Sequence, residues 1–461
     1  MQSLYPHLAR LSLSLVLCLP VSIGAAELSF GDALARLRKT NESLRAAQAE
    51  VRRRVHNRAA ARGLYLPRLE INGRFTRIDD PITIDLNGIR EAMLGLHPQV
   101  PAQMIPAFEE SVQDNRFWRV NATLTWPVFT GGRIQAANRA AEAVVAESRE
   151  KLRATEGRLM SELAQRYFGL RLALEVVDVR CQVLQGMETH LSNAKKLEEN
   201  GMIARGERLH ATVARAEAAR QYKAAVHDLE TVRTALNQLL SRDEPVEPAT
   251  PLFLASNVGA LQEFIETAHS GNPVLGQIVA RRNQAHQGYR KEAGTFLPEV
   301  FIFGTRELYE DDLTTLDARW AAGIGARFTL FDGLARSNRL KAARAVEHQI
   351  QSLERDARRK TRTLVELRYR QMIKAREQFE MLESSAESAK ELLRVRMRSF
   401  EEGMGTSLNI VDARLMLSRV QIERLVAVYG FDVALAELLE ASGCSHRFAS
   451  YLNRAEQEVK R

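Results

Sequence analysis

Residues 118–129 read WRVNATLTWPVF, and residues 320–331 read WAAGIGARFTLF. Apolar residues occupy every second position in the first stretch and on one face of the second, which is typical of a β-strand with one apolar and one mostly hydrophilic face. Strands of about 10–12 residues are long enough to cross an outer membrane when tilted. The apolar face could equally pack on a soluble core. Trp118 and Trp320 at equivalent strand ends favour the membrane, because Trp is enriched at membrane interfaces.

The two stretches belong to an internal duplication. At an offset of 202 residues, Tyr167 matches Tyr369 and the pair Gly201-Met202 matches Gly403-Met404. Earlier in the chain the offset is 231, so the first copy carries about 29 extra residues before Trp118. Each half therefore predicts the same order of elements: helix, two strands, long helix, turn and return helix.

These repeats divide the chain into five segments. A positive head, an apolar stretch over residues 11–23 and small residues before position 27 predict a secretory signal peptide over residues 1–26. The first repeat covers 27–241 and includes a Pro-rich long loop at 80–115, the linker covers 242–258, the second repeat covers 259–441, and the C-terminal tail covers 442–461.

The predicted long helices are coiled coils. Residues 133–199 contain no Pro, and apolar residues recur along them at heptad spacing, with Cys181 on the seam. A helix of about 67 residues is about 100 Å long at 1.5 Å per residue. Basic residues exceed acidic ones by 8, but Arg and Lys alternate with Glu along these helices. This mixture indicates a solvated helical face, and together with export it argues against nucleic-acid binding.

Motifs of catalysis are missing from the sequence. It contains no phosphate-binding Gly-x-x-x-x-Gly-Lys, no His-Glu-x-x-His and no Cys-x-x-Cys, and its ten His are scattered. After residue 26 there is also no run of about 18 apolar residues. We therefore expect no enzymatic activity, no cofactor and no metal site.

The number of strands predicts an oligomer if they lie in a membrane. Four strands cannot close a barrel, since the smallest single-chain barrels have about eight. Open strand edges in lipid leave N–H and C=O groups unsatisfied. Either the strands are not in a membrane, or several chains share one barrel, with eight strands in a dimer and twelve in a trimer.

The ordered set of motifs resembles the TolC-type outer-membrane efflux proteins over nearly all of the mature chain. The residues that carry this resemblance are Asn41 with Leu44, the Leu66-Pro67 entry to a strand, WPVFTGGR at 126–133, LFDG at 330–333 and FEEGMGTSLNIVDA at 400–413. The resemblance implies an α+β fold in which a twelve-stranded membrane β-barrel, shared by a homotrimer, continues into a periplasmic tunnel of about twelve helices. It also implies a location in the outer membrane of a Gram-negative bacterium, with lipid, a periplasmic adaptor (membrane-fusion) protein and an inner-membrane transporter as partners.

The resemblance also implies site residues. The hairpin turns that contact the adaptor correspond to Gly201, Met202, Gly403 and Met404. The constriction at the tunnel entrance corresponds to Asp412, Asn409 and, in the first hairpin, Glu207. Asn409 stands where the family usually has Asp, which weakens a double ring of carboxylates. At the membrane interface we expect Trp118, Trp126, Trp320 and Phe328.

Three functions remain open from the sequence. The first is a passive channel-tunnel of a tripartite efflux system for small compounds. The second is the exit duct of a type I protein-secretion system, which the sequence barely separates from the first. The third is a periplasmic coiled-coil scaffold or adaptor without a membrane barrel, against which the duplicated strand pairs argue.

Overall fold

The computed structural model describes residues 26–255, 257–314 and 317–459. The predicted signal peptide therefore lies outside the described residues, apart from Ala26. Among the helices of the described part, none is both long and apolar enough to cross a membrane.

The chain repeats one series of elements twice. The first half contains β1 (Ala26–Leu28), α1 (Phe30–Thr40), α2 (Glu42–Arg62), β2 (Arg68–Arg77), β3 (Ile82–Asp85), α3 (Asn87–Leu96), β4 (Glu109–Gln113), β5 (Arg116–Phe129), α4 (Arg133–Glu199) and α5 (Arg205–Leu239). The second half contains β6 (Val246–Pro248), α6 (Leu261–Gly271), α7 (Pro273–Ala293), β7 (Glu299–Glu307), β8 (Trp320–Arg327), α8 (Ala335–Glu401), α9 (Ser407–Ala441) and α10 (Phe448–Val459).

Equivalent helices of the two halves have equal lengths. Helices α4 and α8 have 67 residues each, and the return helices α5 and α9 have 35 each. Helices α1 and α6 have 11 residues each, and α2 and α7 have 21 each. The fold is therefore the duplicated α+β fold that the sequence predicts.

The four long strands form one antiparallel sheet in the order β2-β5-β7-β8. Trp118 lies opposite Phe75 on β2, and Trp126 lies opposite Ile302 on β7, which in turn lies opposite Ile324 on β8. Apolar side chains consequently line up across one face of the sheet, which also carries Arg306 between Ala122 and Trp320. Within the described residues, β2 pairs only with β5 and β8 only with β7, so both outer strands have a free edge.

The segment predicted as a long loop at 80–115 is folded. It contains α3 and the antiparallel pair of β3 and β4. The Arg90 guanidinium donates hydrogen bonds of 2.8 Å to the carbonyls of Ile105 and Ala102, which ties α3 to the chain that follows it. The long connection between β2 and β5 thus contains short elements, which side-chain contacts to backbone carbonyls hold despite the Pro content.

By compactness the chain divides into two units, of which one consists of residues 49–150 and 276–355 and holds the sheet. The other consists of residues up to 48, residues 151–275 and residues from 356 onward. Its core is centred on Phe30, whose ring lies 5.4 Å from that of Tyr167 and 5.1 Å from that of Phe448.

The predicted linker and tail are both part of this second unit's core. Phe253 of the linker and Phe448 of the tail are buried, with ring centroids 5.8 Å apart. The linker also supplies β6, which pairs in parallel with β1. Neither segment is a simple spacer, because burial of these rings favours folding of the linker and tail onto the repeats.

Candidate entrance and sheet surfaces

The two hairpin turns have the same backbone geometry. Gly201 and Gly403 both have φ of 73°, in the left-handed region where a Cβ is disfavoured. The N–H of Met202 donates to the carbonyl of Leu197, and the N–H of Met404 donates to that of Ser399. These bonds complete a Schellman motif at the end of each long helix. The left-handed backbone therefore favours Gly at both turns.

The methionines that follow these glycines are exposed. Met202 is 56% exposed and Met404 is 76% exposed in the single chain. Methionine is flexible and polarizable, so exposed methionines suit contacts with a partner surface. The chain thus presents an apolar side chain at each hairpin turn.

Asp412 lies on the second turn of α9, where its side chain is exposed. Among the described residues it has no ion pair. Arg208, which could have neutralised it, is paired with Glu198. Asn409 is half-buried, and its N–H donates to the hydroxyl of Thr406, the residue that caps α9. Asp412 therefore keeps an unneutralised carboxylate.

Glu207 has a different role from Asp412. Its carboxylate accepts a hydrogen bond of 2.6 Å from the backbone N–H of Ser407, the first residue of α9. A carboxylate at a helix N-terminus satisfies a free N–H and interacts favourably with the helix dipole. Glu207, from the first hairpin, thus ties α5 to the start of α9 in the second.

Two residues near this contact were not predicted from the sequence. His190 on α4 lies 2.6 Å from the Ser407 hydroxyl, measured from Nε2, and packs against the ring of Phe400 at 4.9 Å. Burial lowers the pKa of His190, nearby Arg414 lowers it further, and Glu207 opposes them. The Arg414 guanidinium covers Gly186, where a Cβ would collide with it. The sequence signal for the close approach of Arg414 is Gly186 itself, a glycine in the interior of the Pro-free helix α4.

Of the aromatic residues predicted at the membrane interface, the three Trp lie on the apolar face of the sheet, and Phe328 directly follows β8. Trp118, Trp126, Trp320 and Phe328 are all exposed, and the Trp126 indole donates to the carbonyl of Tyr65 at 2.9 Å. Trp126 lies eight positions after Trp118, which is about 27 Å along a strand. An apolar band about 25 Å tall between aromatic girdles is the pattern of an outer-membrane strand.

The opposite face of the sheet is hydrophilic. Its side chains on β2 and β5 include Glu70, Asn72, Arg74, Arg119, Asn121 and Thr123. The amides of Asn72 and Asn121 lie directly opposite each other, 3.5 Å apart. Arg119 pairs with Asp317 at 2.6 Å. Charges at these positions suit a water-filled interior and would be costly against lipid.

Similar proteins were found by sequence and by structure. The family model of the outer membrane efflux protein matches residues 33–242 and 264–444. Protein CyaE of Bordetella pertussis is 26% identical over 281 residues, which is 58% of this chain and 58% of the relative, so the match spans little more than half of each.

Solved structures share the fold. A membrane protein from Pseudomonas aeruginosa superposes with a TM-score of 0.74 at 18% identity, covering 90% of each chain. The open state of the MtrE outer membrane channel of Neisseria gonorrhoeae gives 0.73 at 19% identity, covering 90% of this chain and 89% of that one.

The chain belongs to the outer membrane efflux protein family, since the family model matches most of its length. The predicted TolC-type relationship and the predicted place in the outer membrane are confirmed. Of the solved structures with this fold, that of MtrE is an outer membrane channel in its open state.

Proposed function

We propose that three copies of this chain form the outer-membrane channel-tunnel of a tripartite efflux system. The trimer passively conducts small compounds from a periplasmic adaptor and an inner-membrane pump to the outside. The partners supply the energy.

The free edges of the four-stranded sheet carry this proposal. Lipid cannot satisfy the unpaired N–H and C=O groups of β2 and β8, and four strands are too few to close a barrel. Pairing β8 of one chain with β2 of the next removes every free edge, and three chains then give twelve strands. The apolar face with Trp118, Trp126 and Trp320 faces lipid, and the hydrophilic face lines a water-filled lumen.

The hairpin turns supply the periplasmic end of this channel. Exposed Met202 and Met404 beside the left-handed glycines contact the adaptor. Asp412 has no ion pair within the described part of its own chain, so three copies place three carboxylates around the entrance. Asn409, one turn away, adds hydrogen-bonding capacity but no charge. The entrance therefore prefers cations.

The proposal is tested by deleting the gene and complementing it. Loss of the channel should sensitise cells to small toxic compounds, and wild-type protein should restore resistance together with an outer-membrane oligomer on an unheated gel. Glu391→Gln, an exposed change on α8, is the matched control and should complement fully. Unchanged sensitivity with loss of a secreted protein would instead identify the exit duct of a protein-secretion system.

A further inference from the structure

We propose that Phe301, Phe303 and Arg327 form a binding surface in the lumen for cargo that carries a flat aromatic group and a negative charge. We call this set the aromatic shelf. The proposal rests on the proposed duct, because it takes the hydrophilic face of the sheet as the lumen wall.

The two rings of the shelf lie on the hydrophilic face. Phe301 and Phe303 alternate along β7 with Ile302, whose side chain belongs to the apolar face. Their ring centroids are 6.3 Å apart. Lipid contact explains apolar side chains on the other face but gives no reason for two aromatic rings on this one.

Glycines on β8 make room for the rings. Gly325 lies opposite Phe301, and Gly323 lies opposite Phe303. A Cβ at Gly325 would stand 2.6 Å from Cζ of Phe301, and one at Gly323 would stand 3.2 Å from the Phe303 ring. The rings therefore extend over the backbone of β8 in a way that other residues on this strand would prevent.

Covering glycine is one structural role for such rings, since aromatic side chains protect glycine-containing edge strands. Covering a glycine uses only the ring face that is turned toward β8. Phe303 remains 36% exposed, so part of its surface faces the space beyond the sheet. An aromatic face in water is a stacking platform for a flat apolar group.

The charge of the shelf comes from Arg327. Its guanidinium lies 5.5 Å from the centre of the Phe301 ring. Glu299 is its cross-strand neighbour, but the Glu299 carboxylate pairs with Arg133 at 2.9 Å, and Arg327 has no ion pair within the described residues. A guanidinium stacked on a ring keeps donors for a planar carboxylate.

A third ring on the hydrophilic face differs from the aromatic shelf. Phe117 lies beside Arg119, whose guanidinium is 5.7 Å from the ring centre. However, Asp317 already neutralises Arg119 at 2.6 Å. The aromatic shelf combines adjacent rings with a guanidinium that no carboxylate of the described residues occupies, and this combination selects an aromatic anion.

The test is single-channel block in planar bilayers with 2-naphthoate, an aromatic carboxylate, and octanoate, an aliphatic one. We expect 2-naphthoate to block the parent trimer at a lower concentration than octanoate. In Phe301→Leu/Phe303→Leu, which keeps an apolar cover over the glycines, 2-naphthoate block should weaken about tenfold, the order expected for two lost aromatic contacts. Octanoate block should not change.

Two further variants make the result decisive. Ile302→Leu changes a side chain that lies between the two rings in sequence but on the other face. This variant should be blocked by 2-naphthoate at the same concentration as the parent. Arg327→Gln, which leaves both rings in place, should lose the preference for 2-naphthoate over neutral 2-naphthol even if the double variant does not assemble. If both trimers conduct and 2-naphthoate blocks the parent and Arg327→Gln equally, the aromatic shelf is refuted. A trimer that does not conduct refutes the proposed duct itself.

Discussion

The carboxylate of Glu207 accepts a hydrogen bond of 2.6 Å from the backbone N–H of Ser407, 200 residues further along the chain. This contact joins the first turn of α5 to the first turn of α9. The two return helices are thus held together at the hairpin ends, where the proposed entrance lies. Movement of one hairpin against the other has to break this bond.

We expect Glu207→Gln to make the entrance less rigid. Loss of a charged hydrogen bond at a helix N-terminus costs about 1–2 kcal/mol. The ratio between hairpin arrangements with and without this contact then changes about 5- to 30-fold. Single-channel recordings should show more frequent switching between current levels. Glu217→Gln, which removes a carboxylate paired with Arg220 elsewhere on α5, is the control. If Glu207→Gln switches between current levels as often as the parent, the hydrogen bond between Glu207 and Ser407 does not stabilise the entrance.

Asp412→Asn should reduce the cation selectivity of the channel and its block by multivalent cations. Two carboxylates about 6 Å apart repel by about 3 kcal/mol at an effective dielectric of 20, so a ring of three attracts cations strongly. Reversal potentials in a salt gradient measure the change. Glu391→Gln, an exposed carboxylate paired with Arg394 on α8, should leave selectivity as it is. If Asp412→Asn keeps the parent's selectivity, Asp412 does not lie at the constriction.

Changing Met202 and Met404 together to Asp should abolish export without dissociating the oligomer. Both side chains are exposed next to the hairpin glycines, so the change places charge on the surface proposed to contact the adaptor. Export is followed by the minimum inhibitory concentration of an exported compound, and assembly by an unheated gel. Met381→Asp, an equally exposed position within α8, should export normally. Normal export by the double variant would place the adaptor contact elsewhere.

Asp432 should make the protein less stable as the pH rises. The side chain is fully buried, and burial raises the pKa of its carboxyl well above 3.8, although the Phe253 N–H opposes the shift. The folded protein then binds this proton more tightly than the unfolded chain, so stability falls as the pH rises from about 3.8 to the folded-state pKa. Asp432→Asn should lack this fall and show higher thermal stability at pH 8 than the parent. The exposed change Asp228→Asn should melt like the parent, and equal pH dependence in Asp432→Asn would contradict the assignment.

Periodic segments were predictable from the sequence. The alternation over 118–129 gives β5, and the Pro-free heptads of 133–199 give α4, because a long repeated pattern has one secondary structure that buries its apolar face. Short elements were not predicted. Helix α10 has Phe448, Tyr451 and Leu452 at helical spacing, but a pattern of little more than one turn is too short to predict a helix.

The contacts between distant residues were not predictable. Nothing in the sequence near Glu207 indicates that its carboxylate reaches Ser407, because that depends on how α5 and α9 pack. The same holds for the rings of Phe301 and Phe303, whose glycine partners lie on the neighbouring strand. Helix packing decides the first contact and strand register decides the second, and neither follows from the residues that adjoin each partner in the sequence.

Native mass spectrometry of the protein extracted from the outer membrane tests the central claim most directly. The account predicts a complex with three times the mass of one mature chain, because twelve strands leave no free edge in lipid. A monomer or dimer in that fraction, or a protein that does not fractionate with the outer membrane, would contradict the shared barrel.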